Sequence, residues 1–366
     1  MPLPEIIIDT IRQQGPLSFR DFMEMALYYP GEGYYTSPGD RIGPTGDFYT
    51  SPYLTQLFGE MIAGQLEEMW CILDRQPFTI VECGAGTGML CQDILNRLKT
   101  NPALYNQLQY IIIEKSAPMR EKEKQLLYPN HPNIRWESSL EAIPPVTGCI
   151  LSNELVDNFA VHQVVMEEEL MEVFVTYDNG FTEVLRPAAL SLKIYLQQLN
   201  ITLPKGSRME INLEATEWIA RVAAALQKGF VVTIDYGNSS SSLYNDHTST
   251  LACFHKHNVS TCPYDRVGQQ DITSHVNFSA LDHWGRQSGL ECCGFTTQGR
   301  FLQGLGLTRR LHQLETAGLP GDGCQDTHRK LYNLLVDMGN KFKVLIQLKG
   351  LGRVFLSGLQ FSERLA

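Results

Sequence analysis

The sequence predicts an α/β fold with a doubly wound, mostly parallel sheet of seven strands. From residue 78 onward, short apolar runs alternate with segments that have helical spacing. The runs are apolar at successive positions, which is typical of strands covered by helices on both faces. A glycine-rich turn, "CGAGTG" at 83–88, directly follows the first run. Because ligands bind at strand ends in such sheets, we expect the functional site there.

Residues 1–75 precede this pattern and are predicted to form an N-terminal helical and lid-loop region. Helical spacing runs through Ile6–Gln14 and Ser18–Tyr28, where Ser18 is a suitable N-cap. The stretch that follows is dense in glycine, proline and tyrosine, which predicts an irregular loop. A further helix is predicted over Pro52–Leu73.

The second predicted domain, 76–366, carries the sheet. Helices are predicted at 87–99 and 117–127, and two more near 301–316 and 326–338. The predicted strands lie at 78–83, 109–114, 134–136, 148–153, 229–237, 290–298 and 341–350.

Two insertions interrupt the predicted sheet. About 75 residues separate the fourth and fifth strands, whereas a βαβ unit needs about 30. The first insertion, about 160–228, contains a predicted hairpin with a turn at Asp178-Asn179-Gly180 and a helix over Leu213–Gln227. The second, about 238–277, begins as a polar loop.

Composition excludes some classes of protein. The net charge of −10 over 366 residues argues against a general nucleic-acid binder. No apolar run reaches the length of a membrane span, and Asp9 and Arg12 interrupt the N-terminal apolar stretch, so we expect neither membrane insertion nor a signal peptide. The nine cysteines contain no CxxC pair, which predicts free thiols and a cytoplasmic location. His255 and His257 have no further partner at ligand spacing, so no metal site is predicted.

The glycine turn indicates a nucleotide-like ligand. Gly84, Gly86 and Gly88 can adopt positive φ and let a ligand approach the backbone. Dinucleotide enzymes favour G-x-G-x-x-G, whereas this chain has G-x-G-x-G preceded by Glu82. A carboxylate there would repel a pyrophosphate but suits the cationic S-adenosylmethionine, either by holding the turn or by facing the ammonium. Glu114, at the end of the second strand, would accept the ribose hydroxyls. A plain strand–helix turn remains the alternative.

A second polar cluster follows the fourth strand. Asn153, Glu154 and Asp157 lie within "LSNELVDNFAVHQ", 151–163. Methyl transfer requires a nucleophile held in line with the methyl carbon. If that nucleophile is an arginine, carboxylates can grip its guanidinium and leave one nitrogen more nucleophilic. Alternatively, Asn153 and Asp157 cap the start of a helix.

The chain resembles the MidA-like family of class I, Rossmann-like methyltransferases. The resemblance covers about 15–310 and rests on five segments: "GYYTSPGDRIGPTGDFYTSPYLTQLFGE", "VECGAGTG", "NELVDNFAVHQ", "TIDYG" and "QDITSHVNFSAL". The family pattern has glutamate where Tyr53 stands and proline where Val161 stands. The segment before "QDITSHVNF" also departs from it, with "VGQQD" where the family reads PGxxD. The resemblance implies S-adenosylmethionine as methyl donor and, for mitochondrial members, symmetric dimethylation of an arginine on a respiratory complex I subunit.

Further site residues are predicted by position within these motifs. Ser139, after the third strand, is expected near adenine. Asp47, Thr50 and Ser51 are expected to close over the methionine end of the donor, and the alternative is that their segment is a structural Ω-loop. His162 is expected to orient the acceptor together with Asp157, although a lone histidine often has only a structural role.

The two insertions are expected to form the acceptor groove. Their acidic run, Glu167–Glu169, could attract a basic segment or be a solvated turn. Asp235, at the end of the fifth strand, either faces the pocket or caps the polar loop.

The sequence therefore predicts a methyltransferase that acts on a protein arginine. Three other functions remain: a non-catalytic assembly factor on the same fold, a small-molecule methyltransferase with a deep closed pocket, and a nicotinamide oxidoreductase. The oligomeric state is not predicted.

Overall fold

The computed structural model describes residues 1–39, 41, 43, 46–47, 51–131, 133–245, 248–316, 329–363 and 365. Its helices are α1 Leu3–Gln14, α2 Phe19–Tyr28, α3 Ser51–Leu54, α4 Leu57–Ile72, α5 Met89–Leu98, α6 Pro102–Tyr105, α7 Ala117–Leu127, α8 Leu190–Gln198, α9 Leu213–Ala225, α10 Ser240–Leu243, α11 Phe278–Gln287, α12 Gln298–Gly304, α13 Leu307–Thr316 and α14 Met338–Lys341. A π-helical turn, Asn333–Asp337, leads into α14, and 3₁₀ turns occupy Leu140–Ala142, Val156–Asn158 and Ser357–Leu359.

The strands are β1 Leu17–Ser18, β2 Phe78–Cys83, β3 Leu108–Ile113, β4 Ile134–Glu137, β5 Val146–Asn153, β6 His162–Met166, β7 Leu170–Tyr177, β8 Phe181–Pro187, β9 Arg208–Ile211, β10 Leu226–Asn238, β11 Ala252–His255, β12 Asn258–Ser260, β13 Asp271–Thr273, β14 Val276–Asn277, β15 Glu291–Thr297 and β16 Phe342–Lys349.

The central sheet has the order β15-β16-β10-β5-β2-β3-β4, and the short β14 also pairs with β10. The pairs of β16 with β10 and with β15 are antiparallel, whereas the other pairs of this sheet are parallel. The α/β fold is thus confirmed. The sheet is mixed, and among the described residues it contains the seven predicted strands and an eighth, β14. The sequence did not reveal β14, because two residues carry no detectable alternation.

Helices cover both faces of this sheet, as doubly wound packing requires. On one face, Ile80 and Leu151 pack against apolar residues of α4 and α5. On the other face, Val81 and Ile150 pack with Trp218 and other residues of α9 and α11. Adjacent residues of one strand therefore enter two separate cores, which explains why the strands read as continuous apolar runs.

The first insertion forms a second sheet. β7 pairs with β1, β6 and β8, and β6 also pairs with β9, all antiparallel. The expected hairpin turn is present, with Asn179 at φ +53°. The expected helix is α9, which ends two residues earlier than predicted. This sheet packs against α1 and α2 through a core that includes Ile7, Phe22 and Val173.

Two helices predicted from the sequence are interrupted in the structure. The segment 52–73 divides into α3 and α4, because the Thr55 hydroxyl accepts a hydrogen bond from the Leu57 amide and replaces helical bonding there. The segment 301–316 divides into α12 and α13 at Gly306, whose φ is +87°. None of the helices in the described ranges has both the length and the apolar character of a membrane span.

Candidate functional site

A cavity of about 950 Å³ lies at the carboxyl ends of β2, β3, β5 and β10. It is lined by the turns that follow these strands, by α2 and α9, and by parts of both insertions. A cavity of this size can hold a drug-sized ligand with space for a second group. The predicted site residues that line it are Glu82, Gly84, Gly86, Glu114, Ser139, Asn153, Glu154, Asp157 and His162.

The glycine turn forms one end of this cavity. Gly84, Gly86 and Gly88 have φ values of +68°, +59° and +83°, which side-chain-bearing residues rarely adopt. The Gly84 amide donates to the Ile113 carbonyl at 3.0 Å, and a Cβ at Gly84 would lie 2.7 Å from Leu155 Cδ1. The turn thus depends on glycine for both its conformation and its close packing.

Glu114 lies directly after β3 on the cavity wall. Its amide donates to the Glu137 carbonyl at 3.0 Å, and its Oε1 accepts a hydrogen bond from the Ser116 amide at 2.6 Å. Burial raises the pKa of this carboxyl group. The contacts fix the side chain at the strand end.

These groups fit S-adenosylmethionine. The turn lacks Cβ atoms at its three glycines, and Gly88, the N-cap of α5, supplies no side-chain capping bond. The N-terminus of α5 can therefore receive a polar ligand group. The carboxylate of Glu114 suits ribose hydroxyls, and Ser139 lines the wall just after β4. The donor set is that of a nucleoside site without phosphates.

Glu82 holds β2 to β3. Its Oε2 accepts a hydrogen bond from the Tyr110 hydroxyl at 2.6 Å, and burial raises its pKa to about 7. The contact joins the two strands at the base of the turn, and both predicted roles of Glu82, holding the turn and facing an ammonium group, stay predictions.

Glu154 has a strained backbone. Its φ is +54°, which costs a non-glycine residue about 1–3 kcal/mol. Its amide donates to the Ile234 carbonyl at 2.9 Å, and its Oε1 accepts from the Ser51 amide at 3.0 Å and the Asn153 side chain at 3.1 Å. Burial raises the pKa of Glu154 to about 8. Contacts with Ser51 and Asn153 thus hold this carboxyl group at the cavity wall, while the Ile234 carbonyl holds the backbone.

Asp235 fixes the turn that contains Glu154 and Asp157. Its Oδ2 accepts hydrogen bonds from the amides of Leu155, Val156 and Asp157 at 3.1, 2.8 and 3.4 Å. The expectation that Asp235 faces the pocket or caps the polar loop is therefore wrong, because its carboxylate caps the turn after β5. The alternative in which Asn153 and Asp157 cap the start of a helix is also wrong, because the 3₁₀ turn Val156–Asn158 that follows has Leu155 at its N-cap position.

Asp157 is buried, with 3% of its surface exposed. Its Oδ1 has no hydrogen-bond partner among the described residues. Burial and the neighbouring carboxylates of Asp235 and Asp271 raise its pKa well above the ordinary range. Oδ1 of Asp157 is therefore a buried acceptor without a described hydrogen-bond donor.

The structure adds residues that the sequence analysis did not assign. Asp271 accepts hydrogen bonds from the Tyr35 hydroxyl at 2.9 Å and from the Asn158 side chain at 3.2 Å. The rings of Tyr28 and Tyr35 stack at 5.6 Å. Asp271, Tyr28 and Tyr35 all line the cavity. Asp271 begins the motif "DITSHVNF", which was the only sequence signal for it.

His162 lies on the cavity wall and pairs with Glu172. Its Nδ1 is 2.6 Å from Glu172 Oε1. Glu172 is buried on the adjacent strand β7 and was not assigned from the sequence. The orientation of an acceptor by His162 stays a prediction.

The predicted lid residues have other described partners. Asp47 is buried and accepts hydrogen bonds from the Tyr34 hydroxyl at 2.8 Å and the Lys256 amide at 2.7 Å. Ser51 contacts Glu154 through its amide, and Thr50 lies outside the described residues. Asp47, Ser51 and Gly88 are absent from the described cavity lining. Asp47 therefore anchors the β11–β12 turn to the N-terminal region.

The acidic run 167–169 is an exposed turn with lysine partners on nearby segments, Lys193 and Lys205. In the part of the chain that the structure describes, no cluster of three or more His, Cys, Asp or Glu side chains could hold a metal ion.

Comparison with known proteins assigns a family to this geometry. The model of a family described as "Putative S-adenosyl-L-methionine-dependent methyltransferase" matches residues 61–296. A Burkholderia thailandensis protein solved with bound S-adenosyl-homocysteine has a TM-score of 0.89 and 27% sequence identity, over 99% of this chain and 95% of that chain.

Curated relatives extend the comparison. The Drosophila melanogaster "Protein arginine methyltransferase NDUFAF7 homolog, mitochondrial" is 27% identical over 93% of this chain and 83% of its own length. The Homo sapiens "Protein arginine methyltransferase NDUFAF7, mitochondrial" is 28% identical over 86% of this chain and 75% of its own length.

We expect Gly84→Ala to weaken binding of S-adenosylhomocysteine about tenfold or more, because the new methyl group would clash with Leu155 at a positive φ. Gly64→Ala is the matched control. Its Cβ would meet no atom within 4 Å inside α4, so we expect unchanged binding and a stability gain of about 0.5–1 kcal/mol. Calorimetry and thermal denaturation measure both effects. Equal affinities for Gly84→Ala and wild type would contradict the assigned role of the turn.

We expect Glu154→Gln to flatten the pH dependence of folding stability. Its pKa rises from 4.5 to about 8 on folding. Between these values the folded carboxyl keeps a proton that the unfolded chain has lost, so the free energy of unfolding falls as pH rises. Urea denaturation of the ligand-free protein at several pH values measures the slope. Carboxyls outside the cavity contribute equally to both proteins, whereas Asp157 and Asp235 interact with Glu154 and respond to its replacement. Identical slopes for variant and wild type would refute the raised pKa.

Proposed function

The chain belongs to this family of S-adenosyl-L-methionine-dependent methyltransferases, and from this premise we propose that it methylates an arginine side chain of a protein. S-adenosylmethionine is its methyl donor. The bound donor supplies a methyl group on a positively charged sulfur. The arginine specificity is an inference from the acceptor side of the cavity and from the names of the relatives.

The observation that carries the proposal is a group of buried carboxyls without a positive partner. Glu154, Asp157 and Asp271 line the cavity, and Asp235 lies behind the turn. Among the described residues, no lysine or arginine contributes strongly to the pKa values of these four carboxyls. Burial raises all four pKa values, and for Asp157 the neighbouring carboxylates add to this. A bound cation would favour the ionised forms.

Among cationic side chains, guanidinium suits this cavity best. It is planar, forms paired hydrogen bonds with carboxylates and stacks on aromatic rings. The stacked rings of Tyr28 and Tyr35 stand beside Asp271, whose carboxylate already accepts from the Tyr35 hydroxyl. The cavity therefore offers both kinds of contact that an arginine makes.

The proposal gives the remaining residues the following roles. The glycine turn and Glu114 bind the nucleoside, with Ser139 near the base. Asn153 and Glu154 lie beside the transferred methyl group. Asp157 holds the guanidinium on the acceptor side, and its carboxylate draws positive charge toward the nitrogens that it contacts. The attacking nitrogen is then the one left without such a contact.

We propose that the natural acceptor is a protein, since two of the relatives are named as protein arginine methyltransferases. The resemblance to the MidA-like family suggests that the acceptor is a respiratory complex I subunit. The insertions that border the cavity, including the segments of Phe254 and Thr273, would contact the acceptor chain.

Transfer of tritiated methyl groups tests the proposal. Purified protein is incubated with labelled S-adenosylmethionine and lysate from a strain that lacks it. We expect labelled methylarginine in acid-hydrolysed protein. Asp157→Asn should reduce labelling about tenfold or more while S-adenosylhomocysteine binding persists, because a lost hydrogen bond to a charged group contributes about 1.5–3 kcal/mol.

Glu291→Gln is the control, because Glu291 is an exposed carboxylate at the start of β15, away from the cavity. It should label protein at the wild-type rate. Label found only in small molecules, or only on lysine, would overturn the arginine assignment. Full activity of Asp157→Asn would remove that residue from the site.

A further inference from the structure

A buried carboxylate orients one histidine of the cavity wall. His162 begins β6, and β6 pairs with β7 so that Val164 stands opposite Glu172. Because side chains alternate along a strand, His162, Val164 and Glu172 project from the same face of the sheet. This places Glu172 diagonally across from the imidazole, at 2.6 Å from Nδ1.

The contact determines which imidazole nitrogen is available. An ionised carboxylate only accepts hydrogen bonds, so Nδ1 must donate to Glu172. In the neutral ring the other nitrogen, Nε2, then carries no proton and can accept one. The described hydrogen bond of the imidazole ends on Nδ1, and His162 lines the cavity.

The two side chains also differ in exposure. Only 5% of the Glu172 side chain is exposed, compared with 20% of the His162 side chain. Glu172 is therefore fixed within the second sheet, whereas the imidazole has access to solvent.

Resting on the proposed function, we propose that His162, oriented by Glu172, accepts the proton that the acceptor nitrogen loses on methylation. As the nitrogen–carbon bond forms, the bond between the methyl carbon and sulfur breaks and its electron pair stays on sulfur. The methylated nitrogen then carries an additional proton and a positive charge, and it transfers that proton to Nε2 of His162. The imidazolium releases the proton to water and the neutral ring is restored.

The proposal separates binding of the guanidinium, by the acidic residues, from acceptance of the proton, by His162. Glu154, Asp157 and Asp271 remain available to hold the guanidinium. Accepting the proton would neutralise whichever of them took it and weaken that grip. A separate base at the wall avoids this conflict. His162 is then the catalytic residue, and Glu172 is a positioning residue that acts through it.

Nuclear magnetic resonance of ¹⁵N-histidine-labelled protein, without donor or acceptor, tests the orientation directly. At a pH where the ring is neutral, we expect the proton of His162 on Nδ1 and none on Nε2. Glu172→Gln should lose this single tautomer. The matched control is Glu183→Gln, which alters a carboxylate on β8 of the same sheet that pairs with Arg208. A proton on Nε2 in the wild type would overturn the proposal.

Relative labelling rates with the lysate assay test the proton transfer. We expect His162→Ala to lower the rate by about 10² or more, and Glu172→Gln by about tenfold or more, with S-adenosylhomocysteine affinity unchanged. Added imidazole should restore part of the rate of His162→Ala but none of that of Asp157→Asn. A purely structural histidine would not respond to imidazole.

The outcomes separate the two proposals. Absence of arginine labelling by wild type, with Nδ1 protonated as expected, would refute the proposed function and the proton transfer that rests on it. Arginine labelling that Glu172→Gln and His162→Ala leave unchanged would refute the base alone. If either variant fails to fold, the wild-type tautomer still decides the orientation.

Discussion

The carboxylate of Asp235 is the contact on which the acceptor half of the site depends. It lies at the end of β10 and accepts hydrogen bonds from three consecutive amides after β5. β5 and β10 are parallel neighbours, so one side chain joins the carboxyl ends of both strands. The same bonds orient the turn that carries Glu154 and Asp157. The single buried side chain of Asp235 therefore fixes this irregular turn relative to the two strands.

Burial raises the pKa values of the cavity carboxyls Glu154, Asp157 and Asp271, and among the described residues no lysine or arginine is a main cause of these shifts. Isolated charges are costly to bury, and the carboxyls here respond by holding protons more strongly. The ligand-free protein thus avoids a concentration of negative charge that it could not stabilise. A cationic acceptor reverses the balance because its charge compensates the ionised oxygens. The same groups can accordingly exist as neutral acids in one state and as anionic ligands in another.

Site positions that follow strand ends could be predicted from the sequence, whereas contacts made by the insertions could not. The glycine turn, Glu114 and the cluster at 153–157 follow strand ends, and the order of strands alone brings such positions to one edge. Tyr35 and Asp271 are 236 residues apart, so no local pattern could pair them. In the sequence, Glu172 is an ordinary strand residue, because its contact with His162 depends on the pairing of β6 with β7. Asp47 lay in a motif whose glycines suggested motion, yet its carboxylate binds the turn at Lys256. Long-range pairing of the insertions determined each of these outcomes.

The left-handed backbone of Glu154 has a consequence for engineering. A glycine at this position would relax the conformation but would remove the carboxyl group from the cavity wall. Selection for thermal tolerance alone would therefore tend to remove a group that we propose lies beside the transferred methyl group. Stabilising substitutions are better sought in the described outer helices, where a relaxed backbone does not compete with catalytic turnover.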